Sequence, residues 1–555
     1  MDKILLCAVN SKYIHTSLSV RALYHYANDD RVLFCEYTIN DKPYTAMNSI
    51  YAYQCDVVLF SCYIWNINFI LETASMLKAV SPKTQIILGG PEVSYNYETV
   101  LKEHPYIDAI IYGEGEETFK QFLTYGLDID GTAFRSGDKI IANPPRKCIS
   151  DLSLLPFPYS EEDLITNANK LLYYEGSRGC PFSCSYCMSS TLTSVRYKPI
   201  EIVKKELMIF INHNVKIVKF VDRTFNADKK RTYEILKFLI NNAKNTTFHF
   251  EVAADILNDD IINLLSKAPK GLFQLEIGVQ TTNPSTLSEI DRKANFEKIS
   301  QNVKKILLAG NIHVHLDLIA GLPYEDIVSF KKSFNDVFML GADVIQLGFL
   351  KLLHGTKIRE QSEKHNYIFT TNPPYEVLSN KYLSFDDIIL LKGIDTVVDR
   401  FYNSNGFENA IKYLIKKYPS PFDMFVALST HIKKYNIEFI GISKQSLYTI
   451  LSEFCKDKLF ADILKFDFLS NNKPQQLPWF LDKYDETLQK SRFDILSEKF
   501  IQDNLPEYEN VQKREIIKTV HFEKFSYDIM GDYTKKDNII VFDKKYGHIL
   551  KIRRA

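Results

Sequence analysis

The chain has 555 residues, too many for a single hydrophobic core, so about two to four domains are expected. It is 45% apolar and 25% charged, an ordinary globular composition, and its 68 basic and 68 acidic residues give a net charge of zero. This balance removes the general electrostatic argument for a nucleic-acid partner. The apolar run Ile4–Val9 is too short for a signal sequence or a membrane span, and nine scattered cysteines fit a reducing compartment. We therefore expect a cytoplasmic protein with no membrane segment.

Short apolar strands alternate with helical stretches over residues 1–145. The predicted strands are Ile4–Val9, Val32–Tyr37, Val57–Phe60, Gln85–Leu88 and Ala109–Tyr112. Such alternation is typical of a doubly wound, Rossmann-like parallel sheet with helices on both faces. In these sheets the ligand lies beyond the carboxyl ends of the strands.

Small and polar residues collect where these strands end. They are Ser61, Gly89, Gly90, Glu92, Gly113 and Gly115. Glycine lets a ligand approach the backbone closely, and the helix start that follows offers free N–H groups. Each motif alone is also ordinary loop chemistry of an α/β domain. After this domain, residues 146–170 include Leu155-Pro156-Phe157-Pro158-Tyr159, which predicts an extended linker that still packs.

Three thiols within eight residues form a clip with the spacing C-x3-C-x2-C: Cys180, Cys184 and Cys187. Soft thiolate ligands at this spacing suit an iron–sulfur cluster. A structural zinc site would call for a fourth Cys or His nearby. The nearest other cysteine is Cys148, and no His lies between Cys148 and His213. Buried or disulfide-bonded cysteines are the alternative, which a chain without a secretion signal disfavours.

Six β-rich stretches separated by helical segments recur over residues 171–370. They are Leu172–Ser177, Lys216–Val221, Thr247–Ala253, Leu272–Val279, His313–Ile319 and Val344–Phe349. This repetition predicts a partial parallel (β/α)6 barrel with a site at the carboxyl ends of the strands. Asp222 closes the second strand, and Glu276 and Gln280 lie along the fourth. An inward-facing Glu276 is costly unless it bonds a ligand or a partner side chain.

The clip with its aromatic residue, C-x3-C-x-Tyr186-C, resembles the signature of radical S-adenosylmethionine (SAM) enzymes. The resemblance implies a [4Fe–4S] cluster held by Cys180, Cys184 and Cys187, whose fourth iron is open to chelate SAM. It places Tyr186 near the adenine, with ordinary packing as the alternative.

The same resemblance implies SAM contacts in the barrel. Asp222 would receive the SAM amino nitrogen, whereas an N-cap or an ion pair with Arg223 is the alternative. Glu276 and Gln280 would contact the ribose or methionine part. Gly321, in Ala320-Gly321-Leu322-Pro323, would pack against the adenine.

Gly89–Glu92 and Gly113–Glu117, placed before the clip, resemble the cobalamin-binding half of B12-dependent radical SAM enzymes, a likeness covering about residues 1–370. It implies that Ser61, Gly89, Gly90, Glu92, Gly113 and Gly115 line a cobalamin site. The D-x-H-x-x-G loop, whose His ligates cobalt in many cobalamin proteins, is absent. His15 is more typical of a helix-entry residue, so we expect the lower face of cobalt to be covered by water or by Tyr63 or Trp65. A vestigial domain is the alternative.

Helical periodicity dominates the tail, residues 371–555, as in Ala410–Lys417 and Gln445–Phe454. Asn538–Phe542 and Tyr546–Ile552 predict a closing hairpin. Acidic and basic residues alternate without runs, so no nucleic-acid arm is visible. The tail is expected to cover the substrate, with an oligomer contact as the alternative.

The resemblance implies a B12-dependent radical SAM enzyme that methylates an unactivated carbon through a 5′-deoxyadenosyl radical. An electron donor such as flavodoxin or ferredoxin would reduce the cluster. A radical rearrangement or cyclisation without methyl transfer is the first alternative, and a non-catalytic iron–sulfur protein in electron transfer or sensing is the second. The substrate has no signature in the sequence.

Overall fold

The computed structural model describes residues 3–191, 194–433, 442–472, 478, 481 and 486–552. It divides into two compact units. The first comprises residues 1–342 and 346–388, and the second comprises residues 343–345 and 389–555.

The first unit begins with a seven-stranded sheet in the order β2-β1-β3-β4-β5-β6-β7. Its strands are β1 (Ile4–Asn10), β2 (Val32–Thr38), β3 (Val57–Ser61), β4 (Gln85–Gly89), β5 (Ala109–Ile111), β6 (Thr132–Ser136) and β7 (Lys139–Ala142). Its helices are α1 (Leu18–Ala27), α2 (Pro43–Ala52), α3 (Ile67–Val80), α4 (Tyr97–Glu103) and α5 (Gly115–Tyr125). Strands β1 to β5 are parallel, and β6 and β7 add an antiparallel edge.

Alternate residues of the central strands enter two separate cores. Leu5 and Cys7 belong to the core that includes residues of α2 and α3, whereas Ile4 and Leu6 belong to the core that includes residues of α1 and α5. Because both faces are buried, β1 is a continuous apolar run instead of an alternating one. The predicted doubly wound α/β sheet is therefore present.

The segment 146–170 is more regular than a tether. It contains a 3-10 turn, Leu152–Leu154, and a helix, α6 (Glu161–Asn167). Ser160 caps α6 by accepting from the backbone of Asp163, whose carboxylate accepts in turn from the backbone of Ser160. The stretch 155–159, on which the extended prediction rested, contains no helix or strand and packs, with Leu155 and Tyr159 buried. Helix α6 after it was missed, and the S-x-x-D pattern was its signal.

A six-stranded sheet follows in the order β15-β14-β13-β12-β11-β8. The strands of this region are β8 (Leu171–Tyr174), β9 (Ser177–Arg178), β10 (Arg196–Tyr197), β11 (Ile217–Phe220), β12 (Thr247–Glu251), β13 (Phe273–Gln280), β14 (His313–Ala320), β15 (Val344–Phe349), β16 (Ile368–Phe369) and β17 (Val377–Ser379). The helices are α7 (Ile200–Asn212), α8 (Lys229–Asn242), α9 (Asp259–Leu265), α10 (Pro284–Glu289), α11 (Phe296–Leu308), α12 (Ile327–Phe338) and α13 (Lys357–Glu360). Strands β8 and β11 to β14 run parallel, and the sheet stays open at β8 and β15, as a partial barrel does.

Strand β13 buries one face and leaves the other half-exposed. Phe273, Leu275 and Ile277 are buried, whereas the alternating positions Glu276 and Gln280 are half-buried. Polar side chains of neighbouring strands therefore gather on the second face, because successive side chains in a strand point to opposite sides.

The second unit is mainly helical and ends in a small sheet. Helices after α13 are α14 (Phe385–Val397), α15 (Glu408–Ile415), α16 (Pro421–Lys433), α17 (Lys444–Phe454), α18 (Lys458–Asn471), α19 (Glu486–Ile495), α20 (Glu498–Asn504) and α21 (Lys513–Thr519). Strands β18 (Val520–Tyr527), β19 (Lys535–Asp543) and β20 (Ile549–Ile552) pair antiparallel in that order. The hairpin expected from the sequence corresponds to β19 and β20, and β18 was missed. Within the described ranges, no helix combines the length and the apolar character needed to cross a membrane.

Candidate functional site

The three-cysteine clip lies in the loop 179–187 (the clip loop), which follows β9, and β9 pairs antiparallel with β10. Gly179, just before Cys180, has a φ of +103°, and a Cβ there would lie 2.2 Å from the carbonyl oxygen of Ser194. Only glycine fits this position without displacing backbone. The start of the clip is thus fixed by local geometry.

Two of the clip thiols are buried, and each has a neighbour from another segment. Cys180 Sγ lies 3.5 Å from Thr224 Oγ1, and Cys184 Sγ accepts from Arg292 Nη1 at 3.6 Å. Burial raises the pKa of the Cys184 thiol, although the Arg292 guanidinium acts in the opposite direction. Cys187 is half-buried, and its N–H donates to the carbonyl of Cys184.

The donor set fits a cluster better than a single ion. In the part of the chain that the structure describes, no group of three His, Cys, Asp or Glu side chains is arranged to hold one metal ion. A [4Fe–4S] cluster has a different requirement, since each thiolate binds its own iron. Three free thiols without a nearby fourth donor meet that requirement.

Asp222 anchors the segment that leads to the clip. Its Oδ1 accepts from the N–H of Gly176 at 2.8 Å, and its Oδ2 accepts from Ser177 Oγ at 2.6 Å. The carboxyl group is 3% exposed, and burial raises its pKa to about 6. These contacts differ from both sequence alternatives, an N-cap and an Arg223 ion pair. A contact with the SAM amino group stays a prediction, because a carboxylate has further lone pairs.

Glu276 is held by two partner side chains. Its Oε2 accepts from Lys219 Nζ and His249 Nε2, both at 2.9 Å. Burial alone would raise the pKa of this carboxyl group, but His249 and Lys219 outweigh it and hold the pKa at about 2. Lys219 and His249 therefore compensate for the burial of this carboxylate. A contact between Glu276 and SAM stays a prediction.

Unpartnered polar atoms lie on β13 and β14 near Glu276. Gln280 Oε1, His315 Nε2 and Asp317 Oδ1 are shielded from solvent without a hydrogen-bond partner. His315 faces Glu276 in the strand register, and Asp317 faces Gly278. Sequence reasoning selected Gln280 and missed the other two, although polar residues at alternating positions of an apolar strand were a usable signal.

Tyr186 and Gly321 are each tied to another segment. The hydroxyl of Tyr186 accepts from Arg292 Nη1 at 3.1 Å. The carbonyl of Gly321 accepts from Tyr367 Oη and from Asn380 Nδ2, both at 2.9 Å. A role of either residue at the adenine is not tested by these contacts and stays a prediction.

At the strand ends of the first domain, several residues predicted to contact cobalamin contact other parts of the protein instead. Glu92 is buried and its Oε1 accepts from Tyr375 Oη at 2.6 Å. Ser61 Oγ lies 2.8 Å from Ser19 Oγ. Gly90 has a φ of +107°, and a Cβ there would lie 2.5 Å from the carbonyl oxygen of Cys62, so its missing side chain accommodates protein backbone. The carbonyl oxygen of Gly89 accepts from the N–H of Cys62.

The loop of Gly113 and Gly115 contains Glu114, which forms ion pairs with arginines on either side of the clip. Gly113, with a φ of +78°, borders open space, and Gly115 begins α5. The intervening Glu114 pairs with Arg178 and Arg196. Burial alone would raise the pKa of Glu114. Hydrogen bonds and charge from the two arginines outweigh burial, so the pKa lies below its ordinary value.

His15 is engaged with the barrel. Its Nδ1 lies 2.6 Å from Tyr173 Oη, and burial lowers its pKa. Tyr63 and Trp65 stack 4.4 Å apart at the strand-end side, and Trp65 is 47% exposed. The contact at Nδ1 does not involve Nε2, so the role of His15 and the assignment of the cobalt face both stay predictions.

Models of known families match three parts of the chain. A "B12 binding domain" matches residues 4–123, and the "Radical SAM superfamily" matches residues 174–337. A "Protein of unknown function (DUF4080)" matches residues 363–542. The expected order of a B12-binding domain followed by a radical SAM domain is confirmed.

Similar proteins agree with this composition. The chain is 28% identical to the cobalamin-dependent radical SAM methyltransferase TokK of Streptomyces tokunonensis, over 53% of this chain and 47% of TokK. It is 28% identical to the anaerobic magnesium-protoporphyrin IX monomethyl ester cyclase of Synechocystis, over 42% of this chain and 48% of the cyclase. The chain spans about half the length of the curated relatives it matches. Its fold resembles the cobalamin-dependent SAM radical enzyme OxsB, with a TM-score of 0.56, 14% identity, and coverage of 84% of this chain and 80% of OxsB.

Proposed function

We propose that this chain, which joins the B12-binding and radical SAM domains of the cobalamin-dependent radical SAM family, is an enzyme that methylates an unactivated carbon. The observation that carries the proposal is the clip itself. Cys180, Cys184 and Cys187 offer three thiols, and Arg178, just before them, forms ion pairs with Glu114 and Glu116 at the start of α5 in the B12-binding domain.

The clip cysteines would hold a [4Fe–4S] cluster, and the strand ends of the first domain, where Gly113 borders open space, would receive cobalamin. When bound, these groups and SAM supply a 5′-deoxyadenosyl radical and a transferable methyl group. The chain itself orients and shields them. Gly179 and Asp222 fix the start of the clip, and Arg178 keeps the clip loop against Glu116 of α5.

The half-buried face of β13 and β14 would receive SAM and substrate. Its unpartnered acceptor atoms, Gln280 Oε1 and Asp317 Oδ1, each cost about 1–3 kcal/mol while they remain unbonded. A ligand that donates hydrogen bonds would remove this cost. Such atoms support a binding site on this face without specifying the substrate.

An electron donor such as flavodoxin or ferredoxin would reduce the cluster, and we expect the reaction to take place in the cytoplasm. A radical rearrangement or cyclisation without methyl transfer is the second candidate. The observation in its favour is the similarity to the magnesium-protoporphyrin ester cyclase, which reaches the same 28% identity as TokK over a shorter length.

Anaerobic incubation with SAM, reductant and a small-molecule cell extract separates these candidates by mass spectrometry. S-adenosylhomocysteine together with 5′-deoxyadenosine indicates methylation. 5′-Deoxyadenosine alone indicates rearrangement or cyclisation. Neither product, from protein that contains the cluster, indicates a non-catalytic iron–sulfur protein. The matched control is the chain with Cys180, Cys184 and Cys187 replaced by Ala, which should form neither product.

A further inference from the structure

A guanidinium lies against one sulfur of the clip. Arg292 Nη1 donates to Cys184 Sγ at 3.6 Å and to Tyr186 Oη at 3.1 Å, and Nη2 donates to the carbonyl oxygen of Gly278 on β13. Arg292 follows α10 and is 108 residues away from Cys184 in the sequence. Three hydrogen bonds thus fix a cation from a distant segment beside the clip.

No carboxylate lies within ion-pair distance of this cation in the described part of the chain, and Asp317 on β14 acts on it only through a longer-range electrostatic interaction. Its hydrogen bonds go to a thiol, a phenol and a carbonyl, and its Nε is shielded from solvent without a partner. A guanidinium does not lose its proton in proteins, so the charge persists. A charge removed from water is costly unless an anion pairs with it. A cluster held by three thiolates is such an anion.

We infer that Arg292 is a positioning residue that raises the reduction potential of the cluster held by Cys180, Cys184 and Cys187. The inference rests on the proposed function. Reduction adds one electron and therefore one negative charge to the cluster, and a fixed cation beside Cys184 Sγ stabilises the reduced form more than the oxidised form. Hydrogen bonds to the sulfurs and local charge are established determinants of cluster potential.

The contact to Tyr186 has a second consequence. Because one guanidinium bonds both Cys184 and Tyr186 and is itself held to Gly278, the two clip side chains keep a fixed relation to β13. Lysine at this position would retain the charge but could not reproduce the planar fork. The charge and the fork can therefore be separated by substitution.

The test is a redox titration of the anaerobically reconstituted chain, followed by the paramagnetic resonance of the reduced cluster. R292Q and R292M remove the charge, and both should move the midpoint potential to a more negative value at unchanged iron content. R292K should return the midpoint toward that of the unmodified chain. The matched control is K293M, which loses the same charge from the adjacent, exposed side chain and should leave the midpoint unchanged.

An unchanged midpoint in a neutral variant that retains about four irons overturns the inference. An equal shift in K293M also overturns it, because net charge would then explain the effect. If both neutral variants lose iron while R292K retains it, the charge beside the cluster is supported, and loss of iron from all three variants overturns it. If the unmodified chain holds no cluster, the proposed function itself fails.

Discussion

Arg178 Nη2 lies 2.7 Å from Glu116 Oε1, and this ion pair joins the segment before Cys180 to the first turn of α5. Both side chains are largely buried, with 15% and 8% of their surfaces exposed. Arg178 also forms ion pairs with Glu114 and Glu175, so one guanidinium is paired with three carboxylates. The loop predicted to bind cobalamin and the loop predicted to bind the cluster are thus held together.

Replacing Arg178 by Met should destabilise the chain by about 3–5 kcal/mol, because buried carboxylates lose their counter-charge. Urea unfolding measures the change. The matched control is Lys305→Met, which removes the exposed partner of Asp259 and should have a much smaller effect. Equal losses in the two variants would contradict the buried network.

The contacts of Asp222 allow its two roles to be separated. Asp222→Ala should weaken SAM binding by about 1.5–3 kcal/mol if one charge-assisted hydrogen bond to the ligand is lost. Ser177→Ala is the control, because it removes one donor to the same carboxylate but leaves the carboxylate in place. Isothermal titration with SAM compares them. Unaltered SAM affinity in Asp222→Ala, or an equal loss in Ser177→Ala, would assign Asp222 to structure alone.

Burial raises the pKa of Glu325 from its ordinary 4.5 to about 7, despite hydrogen bonds from Thr281 and Ser333. The folded chain therefore holds this proton more tightly than the unfolded chain does. The stabilisation is fully present below pH 4.5 and is lost as the pH rises through about 7.

Gln carries no charge at any pH, so Glu325→Gln should remove the dependence of stability on the titration of residue 325. Between pH 4.5 and about 7, the free energy of unfolding of the unmodified chain should therefore fall relative to that of the variant by up to about 3 kcal/mol. Urea unfolding at several pH values follows the difference. The exposed Glu297→Gln provides the control. A difference that does not vary with pH would show that Glu325 is already ionised in the folded chain.

The sequence predicted those parts of the fold and site whose signal lies within a short stretch of residues. Strands such as β1 were located to within about two residues, because an apolar run buried on both faces is visible in the sequence. The clip was found from spacing alone. The S-x-x-D signal of α6 and the alternating residues of β18 were also present but were not used.

The contacts that shape the site have no local signal. Glu116 is 62 residues from Arg178, and Arg292 is 108 residues from Cys184. Glu92 was selected as a ligand residue for its place after two glycines, yet its partner Tyr375 is 283 residues away. Pairings of this kind depend on the packing of whole elements, so a residue type at a strand end indicates a site without giving its partner.

His15→Ala should leave the Co(II) paramagnetic resonance spectrum of bound cobalamin unchanged, without the splitting that an axial nitrogen imposes. The reason is that the D-x-H-x-x-G loop, whose His ligates cobalt in many cobalamin proteins, is absent. Tyr173→Phe, which removes the contact between Tyr173 Oη and His15 Nδ1, is the companion variant. A nitrogen splitting that disappears in His15→Ala would make His15 the cobalt ligand.

The central claim is that the chain holds two separate groups, a [4Fe–4S] cluster on the clip and cobalamin on the first domain. Elemental analysis by mass spectrometry of the anaerobically reconstituted chain tests it most directly. We expect about four irons and about one cobalt per chain, and the variant with Cys180, Cys184 and Cys187 all replaced by Ala should lose the iron and keep the cobalt. Iron retained in the triple variant, or no cobalt in the unmodified chain, would contradict the account.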